Sequence, residues 1–260
     1  MSIWQALILG AIQGLTEILP ISSSGHSILL RDVLGMPQPA AEVEIFIRLG
    51  VLIAVIAVFS QDIKYIIKKP LNKLTYLIII GCIPFALVGI ILQFYYIKAF
   101  SSLFTVGVGF LISGAVLKIA EYFSDRDFGL KYIGETSYRD ALSIGILQIL
   151  SFIPGTSRSG LAIAGGLLAG MEKEYAARYS FLLSVPIILG AGVMETVSVV
   201  NRGINQAMIV PGLIGAATAA VFSFLALKIV VALISQGKIS VFSYYSWAMA
   251  LVVMAVYFYN

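Results

Sequence analysis

Charge is scarce in this chain. Asp, Glu, Lys and Arg make up 12% of its 260 residues, about half the ~25% usual in a soluble domain. Cysteine is scarcer. The single Cys82 excludes an intramolecular disulfide and a cysteine-rich metal site. It lies in an apolar run and reads as a small buried hydrophobe. Histidine occurs once, at His26. Basic and aromatic residues are not interleaved anywhere, so no nucleic-acid partner is expected. The first twelve residues lack a basic n-region and a small-residue cleavage pattern, so the first apolar stretch is expected in the mature protein.

What is abundant is apolar sequence. Hydrophobic residues make up 60% of the chain, and the mean hydropathy is +0.99. These values exclude a soluble domain and predict an all-α integral membrane protein. Six runs approach the ~20 residues that cross a bilayer, at 45–60, 74–95, 104–122, 177–200, 208–234 and 241–259. Two stretches do not fit. The first, 3–19, carries Gln13 and Glu17 and breaks at Pro20 into Ser22-Ser23-Ser24-Gly25-His26. The second, 141–153, breaks at Pro154-Gly155 into Thr156-Ser157-Arg158-Ser159-Gly160. A short, mostly apolar piece follows each break, at 27–36 and 161–171. Ten to fifteen residues cover about half a bilayer at ~1.5 Å each. Each stretch therefore predicts a re-entrant helical hairpin. Irregular backbone at that depth must line a cavity or be covered by protein.

The two breaks belong to an internal repeat. Ala6-Leu7, Gly10 and Gln13 match Ala141-Leu142, Gly145 and Gln148. Pro20 then matches Pro154, and Ser23 falls opposite Ser157 if one gap is allowed. Glu44 and Arg48 match Glu174 and Arg178. One membrane domain made of repeats 1–130 and 131–260 is expected. Each repeat holds one hairpin and three spans, so the second begins on the opposite face. The predicted fold is six transmembrane helices plus two re-entrant hairpins, in two inverted-topology repeats. Basic residues set the orientation. Lys64, Lys68, Lys69, Lys73, Arg126, Lys131, Arg139, Lys173 and Lys238 share one face, against Arg31, Lys98 and Arg202 on the other. The richer face is expected in the cytoplasm, with both termini outside. The net charge of +4 suits anionic lipid headgroups.

Glu17 is an ionisable group in an apolar stretch, which makes it a functional candidate. Gln13, one helical turn earlier on the same face, shares a ligand with it or hydrogen-bonds it. Ser22, Ser23 and Ser24 serve as a helix cap, as an anion site at a helix start, or as both. Ser157 and Ser159 repeat the arrangement around Arg158, whose planar fork suits phosphate oxygens or an ion pair with Glu17. His26 beside the serines suits a base or a nucleophile. Arg48 and Arg178 read as interfacial snorkelling residues, and Glu44 and Glu174 as solvated charges. Tyr95, Tyr96, Tyr244, Tyr245, Trp247, Tyr257 and Tyr259 read as an aromatic belt. The small-residue stretches Gly107-Val108-Gly109 and 212–220 permit helix contacts and a homodimer. These features define a membrane site for a phosphorylated, lipid-linked ligand, and they leave open whether it is cleaved or moved.

Gln13-Gly14-Leu15-Thr16-Glu17 with Leu19-Pro20-Ile21-Ser22-Ser23-Ser24-Gly25-His26 resembles the first signature of the undecaprenyl-diphosphatase, or bacitracin-resistance, family. Pro154-Gly155-Thr156-Ser157-Arg158-Ser159-Gly160 resembles its second. The resemblance implies hydrolysis of a polyprenyl diphosphate to the monophosphate, recycling the lipid carrier for cell-wall glycan synthesis. It also implies an interdigitated inverted-repeat fold, a divalent cation (magnesium or calcium) and a plasma-membrane site open to the extracytoplasmic side. Glu17 matches the family acid, with Gln13 beside it at the metal. Ser23 matches the proposed nucleophile, and His26 the adjacent base or alternative nucleophile. Ser157 and Arg158 match a phosphate-holding pair. Ser22, Ser24, Gly25, Thr156, Ser159 and Gly160 complete the phosphate-binding set. Two positions depart from the family pattern. Gln13 stands where a second acid is frequent, and Ala162 stands where the second motif usually has Thr. A transporter or flippase for polyprenyl phosphate is the alternative from another class, because inverted repeats support alternating access.

Overall fold

The computed structural model describes residues 1–34, 39–92, 102–125 and 130–259. Tyr95, Tyr96, Lys98 and Arg126 lie outside them. The helices, in chain order, are α1 (Ile3–Ile18), α2 (Ser23–Leu34), α3 (Ala41–Val58), α4 (Ser60–Lys68), α5 (Lys73–Leu92) and α6 (Leu103–Ser124). They continue with α7 (Tyr138–Gln148), α8 (Arg158–Leu168), α9 (Lys173–Arg202), α10 (Ile209–Ser235) and α11 (Ser240–Tyr259). Among the described residues the only strand-like pairing is one bridge between Lys131 and Met171.

Five helices, α5, α6, α9, α10 and α11, are each long and apolar enough to cross a membrane. Helices α3 and α4 pass the same test together, as a pair bent by 84°, the mark of a broken span or a re-entrant loop. Within the described residues, each of the six predicted apolar runs falls on one of these helices or on the α3–α4 pair. The chain is a multi-pass membrane protein. Its outer surface carries Ile79, Leu87, Val193, Leu213 and Leu251 well exposed, which lipid tolerates and water does not. One correction concerns Arg178. Asp62 of α4, 7% exposed, is gripped bidentately by Arg178 of α9, whose Nε donates to Oδ2 at 2.8 Å. Arg178 is therefore an ion-pair partner and not a snorkelling residue.

Helices α1 and α7 start on the same signal, a capping box. The backbone N–H of Gln5 donates to Ser2 Oγ at 3.2 Å, and Ser2 N–H donates to Gln5 Oε1 at 2.9 Å. Ser137 and Asp140 exchange the same bonds at 3.1 and 2.8 Å. Pro20 stops α1. A 3₁₀ turn at Ile149–Phe152 extends α7 to the break at Pro154.

Packing exchanges helices between the two halves. Helix α10 lies against α1 and α3, and α5 lies against α7 and α9, while α6 pairs with α11. Small residues allow the first two pairings. A Cβ on Gly10 would strike the Gly215 carbonyl of α10, and a Cβ on Gly145 would strike the Gly81 carbonyl of α5. Ser223 of α10 adds a hydrogen bond to the Gly14 carbonyl at 2.9 Å. The small-residue stretches that permit helix contacts make such contacts inside the chain. Gly107 faces Met254, Gly109 faces the Pro154–Gly155 backbone and Gly212 faces Phe46.

Gly145→Val should therefore lower the unfolding midpoint in detergent, by an overpacking cost of about 1–3 kcal/mol or more. Gly134→Ala, whose Cβ meets nothing within 4 Å, should leave it unchanged. A wild-type midpoint for Gly145→Val, followed by thermal unfolding of the purified protein, would contradict this close contact.

Candidate active site

Helices α2 and α8 begin with the same sequence, Ser-x-Ser-Gly, and the same hydrogen bonds. Ser22 Oγ accepts from Gly25 N–H at 3.2 Å, and Ser157 Oγ accepts from Gly160 N–H at 3.1 Å. In each cap the next-but-one serine closes on the first, Ser22 to Ser24 at 3.3 Å and Ser157 to Ser159 at 3.2 Å. The structural partner of Ser157 is therefore Ser22, and no gap is needed. This corrects the pairing of Ser23 with Ser157. The residue matching Ser23 is Arg158, so the candidate nucleophile and the candidate cation occupy the first position of two equivalent helices.

The breaks require unusual backbone. Ser22 is the only non-glycine with positive φ among the described residues, at 67°, and Gly155 sits at 91°, a region where side chains are strained. The two breaks also touch. A Cβ on Gly25 would come within 3.1 Å of Gly155 Cα and 2.7 Å of the Phe110 ring.

Glu17 joins the two helix starts. Ser23 Oγ donates to its Oε2 at 2.6 Å, and Arg158 Nη2 donates to its Oε1 at 2.8 Å. The Arg158 and Glu17 side chains are 15% and 23% exposed. A cavity of about 1050 Å³ opens on this cluster and is lined by Gln13, Glu17, Ser23, Ser24, Thr156, Ser157, Arg158 and Ser159. Gln13 also ties α1 to α2, its Nε2 lying 3.5 Å from Ser27 Oγ. Ser22, Gly25 and Gly160 are not among the cavity walls and serve the caps behind them. The hydroxyl proton of Thr156 is shared by the carbonyls of Leu150 and Ile153, at 2.7 and 2.6 Å. Ala162 is 1% exposed within α8 and is not a wall residue, so a hydroxyl is not missing from the cavity at that place.

His26 departs from expectation. Its Nδ1 lies 2.7 Å from the Ser22 carbonyl and its Nε2 lies 2.7 Å from the Tyr245 hydroxyl. A carbonyl only accepts, so Nδ1 carries the proton and Nε2 accepts from Tyr245. The imidazole stacks on Tyr245, with centroids 5.7 Å apart, and meets Phe110 edge-on. It is bonded to neither Ser23 nor a cavity wall. Tyr245 is thus a partner of His26 rather than a belt residue.

Sequence reasoning missed three contributors. Ser113 of α6 accepts the Ser157 backbone N–H at 2.8 Å. Tyr245 fixes His26. Glu195 of α9 pairs with Arg48, which also lies 3.7 Å from Glu44, and this second charged cluster lines the same cavity. Arg48 and Glu44 are therefore neither snorkelling nor solvated. The signal for Glu195 was available, since it is an acid inside the apolar run 177–200, as Glu17 is in the first stretch.

The fold and the site define a class: a multi-pass helical membrane protein whose cavity joins one carboxylate, one guanidinium and a set of serine hydroxyls at two helix starts. Comparison with known proteins narrows it. The chain belongs to the family described as Bacitracin resistance protein BacA, which it matches over residues 6–252. It is 39% identical over 258 residues to a protein of Carboxydothermus hydrogenoformans named undecaprenyl-diphosphatase, covering 98% of each chain. A protein of Halothermothrix orenii with the same name is 39% identical over 256 residues, with 98% of each chain covered. One of Methanosphaera stadtmanae, again so named, is 34% identical over 267 residues, covering 94% of each.

The Glu17–Arg158 pair makes a measurable claim. A double-mutant cycle on Glu17→Gln and Arg158→Gln, read by thermal unfolding, should give a coupling of about 1–3 kcal/mol. Additive effects would show that the two groups do not hold the breaks together.

Proposed function

We propose that this chain is a membrane phosphatase that hydrolyses undecaprenyl diphosphate to the monophosphate and inorganic phosphate, recycling the carrier for cell-wall glycan synthesis. The relatives carry that activity in their names along nearly the whole chain. The observation that carries the proposal is the Ser23 hydroxyl, donated at 2.6 Å to a carboxylate whose other oxygen is held by Arg158. That is an activated nucleophile beside a phosphate-binding cation.

In the proposed reaction Ser23 Oγ bonds to the terminal phosphorus and gives its proton to Glu17. The bond from that phosphorus to the bridging oxygen breaks, and the polyprenyl monophosphate leaves. Water then attacks the phosphoserine, and Glu17 returns a proton to Oγ as inorganic phosphate departs. Arg158 and the first N–H groups of α2 and α8 hold the equatorial oxygens. Glu17 replaces His26 as the base, because the histidine is engaged by Ser22 and Tyr245. His26 instead locks the first turn of α2, and so positions Ser23.

Among the described residues no three His, Cys, Asp or Glu side chains gather as a metal cage. Magnesium-type cations are commonly held by one or two carboxylates plus substrate phosphates. Glu17 fits that partial set, because a carboxylate has about four acceptor sites and two are used here. Gln13, another wall residue, adds an amide oxygen. Glu17 and Gln13 would hold a divalent cation, which would supply charge neutralisation on the diphosphate.

We further infer that α1–α2 and α7–α8 are re-entrant hairpins entering from opposite faces, with six spans, inverted repeats and both termini extracytoplasmic. Three observations support this. The matched capping boxes, glycines and Ser-x-Ser-Gly caps keep a constant offset of 135 residues, from Ser2 and Ser137 to Gly25 and Gly160. The exchanged packing has α10 on α1 and α5 on α7. The ion pairs are reciprocal: Arg48 of α3 holds Glu195 of α9, while Arg178 of α9 holds Asp62 of α4.

Purified protein should release phosphate from undecaprenyl diphosphate with magnesium, and a chelator should stop it. Ser23→Ala and Glu17→Gln should each lower kcat by at least ~10²–10⁴-fold. His26→Ala should lower it less than either, and near-normal turnover in Ser23→Ala would remove the serine from this role. Orientation is tested in a Cys82→Ser background. A membrane-impermeant maleimide should label Ile204→Cys in intact cells, and Leu130→Cys only after lysis.

A further inference from the structure

Head and tail of a polyprenyl diphosphate need different surroundings, and the cluster of Glu17, Ser23 and Arg158 accounts for the head alone. A second cavity, of about 530 Å³, lies between α4, α5 and α9. Thr75 and Cys82 are its only walls with a polar side-chain group, and the rest are Ile, Leu, Val, Ala and Pro. It shares Cys82, Ala86 and Pro186 with the cavity that holds the charged cluster. The two cavities follow one seam. On α5 the walls recur at helical spacing through Thr75, Ile79, Cys82, Ala86 and Ile90, and on α9 through Leu182, Pro186, Gly190 and Met194. From Thr75 to Ile90 the seam runs about 22 Å at ~1.5 Å per residue, most of the ~30 Å hydrocarbon core.

Small residues keep this seam open. A Cβ on Gly190 would meet nothing within 4 Å, and one on Gly89 would meet only the Phe152 ring. Its rim is lipid-facing, with Ile79, Ile83 and Val193 exposed. No charged side chain lines the second cavity, so a diphosphate is excluded there and a hydrocarbon chain is favoured.

Resting on the diphosphatase reading, we propose that the α5–α9 seam is the berth of the substrate's polyisoprenoid tail, entered sideways from the bilayer, with the tail passing Cys82, Ala86 and Pro186 into the second cavity. Long-chain substrates are then bound by the seam as well as by the charged cluster, and short ones by the cluster alone. Ile79→Trp and Val185→Trp fill the second cavity at two walls that it does not share with the cavity of the charged cluster.

Phosphate release is compared for undecaprenyl and farnesyl diphosphates. Both variants should lose about tenfold or more in kcat/KM for the long substrate, the loss expected when a couple of buried methylenes are displaced. Both should keep the wild-type value for farnesyl diphosphate within about twofold, which also reports intact folding. Parallel losses on both substrates, or a loss on neither, would overturn the tail site. A second arm needs no turnover. A long-chain polyprenyl phosphate with a photoreactive terminal isoprene should crosslink to peptides of α4, α5 and α9. Labels spread over the lipid-facing sides of α6 and α11 would mean ordinary annular lipid and would overturn the proposal. Failure of wild-type protein to hydrolyse either diphosphate would count against the phosphatase reading, and the crosslinking arm would still decide the tail site.

Discussion

One carboxylate ties this structure together. Glu17 ends α1, yet its two oxygens hold the first residues of α2 and α8, helices from opposite halves of the chain. The first break carries strained backbone at Ser22, while the second turns through positive φ at Gly155, where glycine bears no such strain. Such strain persists only where surrounding contacts over-determine it. The Glu17 bonds, the serine caps and the Ser113 contact to Ser157 are those contacts. Removing the charge would release a serine and a guanidinium together, so structural and chemical roles cannot be separated at this residue.

That tie is possible because the two halves trade helices. Each short helix before a break packs on a long helix of the other half, α1 on α10 and α7 on α5. The matched glycines Gly10 and Gly145 admit the partner's backbone. With backbones so close, dispersion and carbonyl contacts do the work that the hydrophobic effect cannot do in lipid. The reciprocal pairs Arg48–Glu195 and Arg178–Asp62 then cross-link α3, α4 and α9. Charges inside apolar spans are costly unless paired, and here each pair spans the seam between halves.

Much of this was legible in the sequence. Apolar run lengths located the spans, and Glu17, Ser23 and Arg158 stood out as polar groups in apolar surroundings. The matching motifs of the two breaks were visible, Gly10 and Gly145 among them. Aligning Pro20 with Pro154 gives the wrong register, because the capping serines Ser22 and Ser157 and the boxes at Ser2 and Ser137 keep one offset. Proline only stops a helix, whereas a cap fixes the residue at which the next begins, so the caps are the better ruler. The role of His26 was out of reach, since its partner Tyr245 lies 219 positions away. Arg48 and Arg178 were misread for a related reason. An arginine near a span end snorkels unless another helix brings it an acid, and only the fold supplies that acid.

Gln13 also bears on how a diphosphate enters. With glutamine there, the cluster carries one negative and one positive side chain, Glu17 and Arg158, and so is close to neutral. A second acid in that position would make it net negative and would repel the substrate until a cation arrived. The further cluster of Glu44, Arg48 and Glu195 on the same cavity is net negative by one. A multiply charged diphosphate therefore meets little attraction from the side chains as a set. On the proposed reading its binding would draw on helix N–H groups, on the Arg158 fork and on a divalent cation. The proposed tail site would contribute the remainder, which gives a chain that recognises a lipid a physical reason to bind both ends of it.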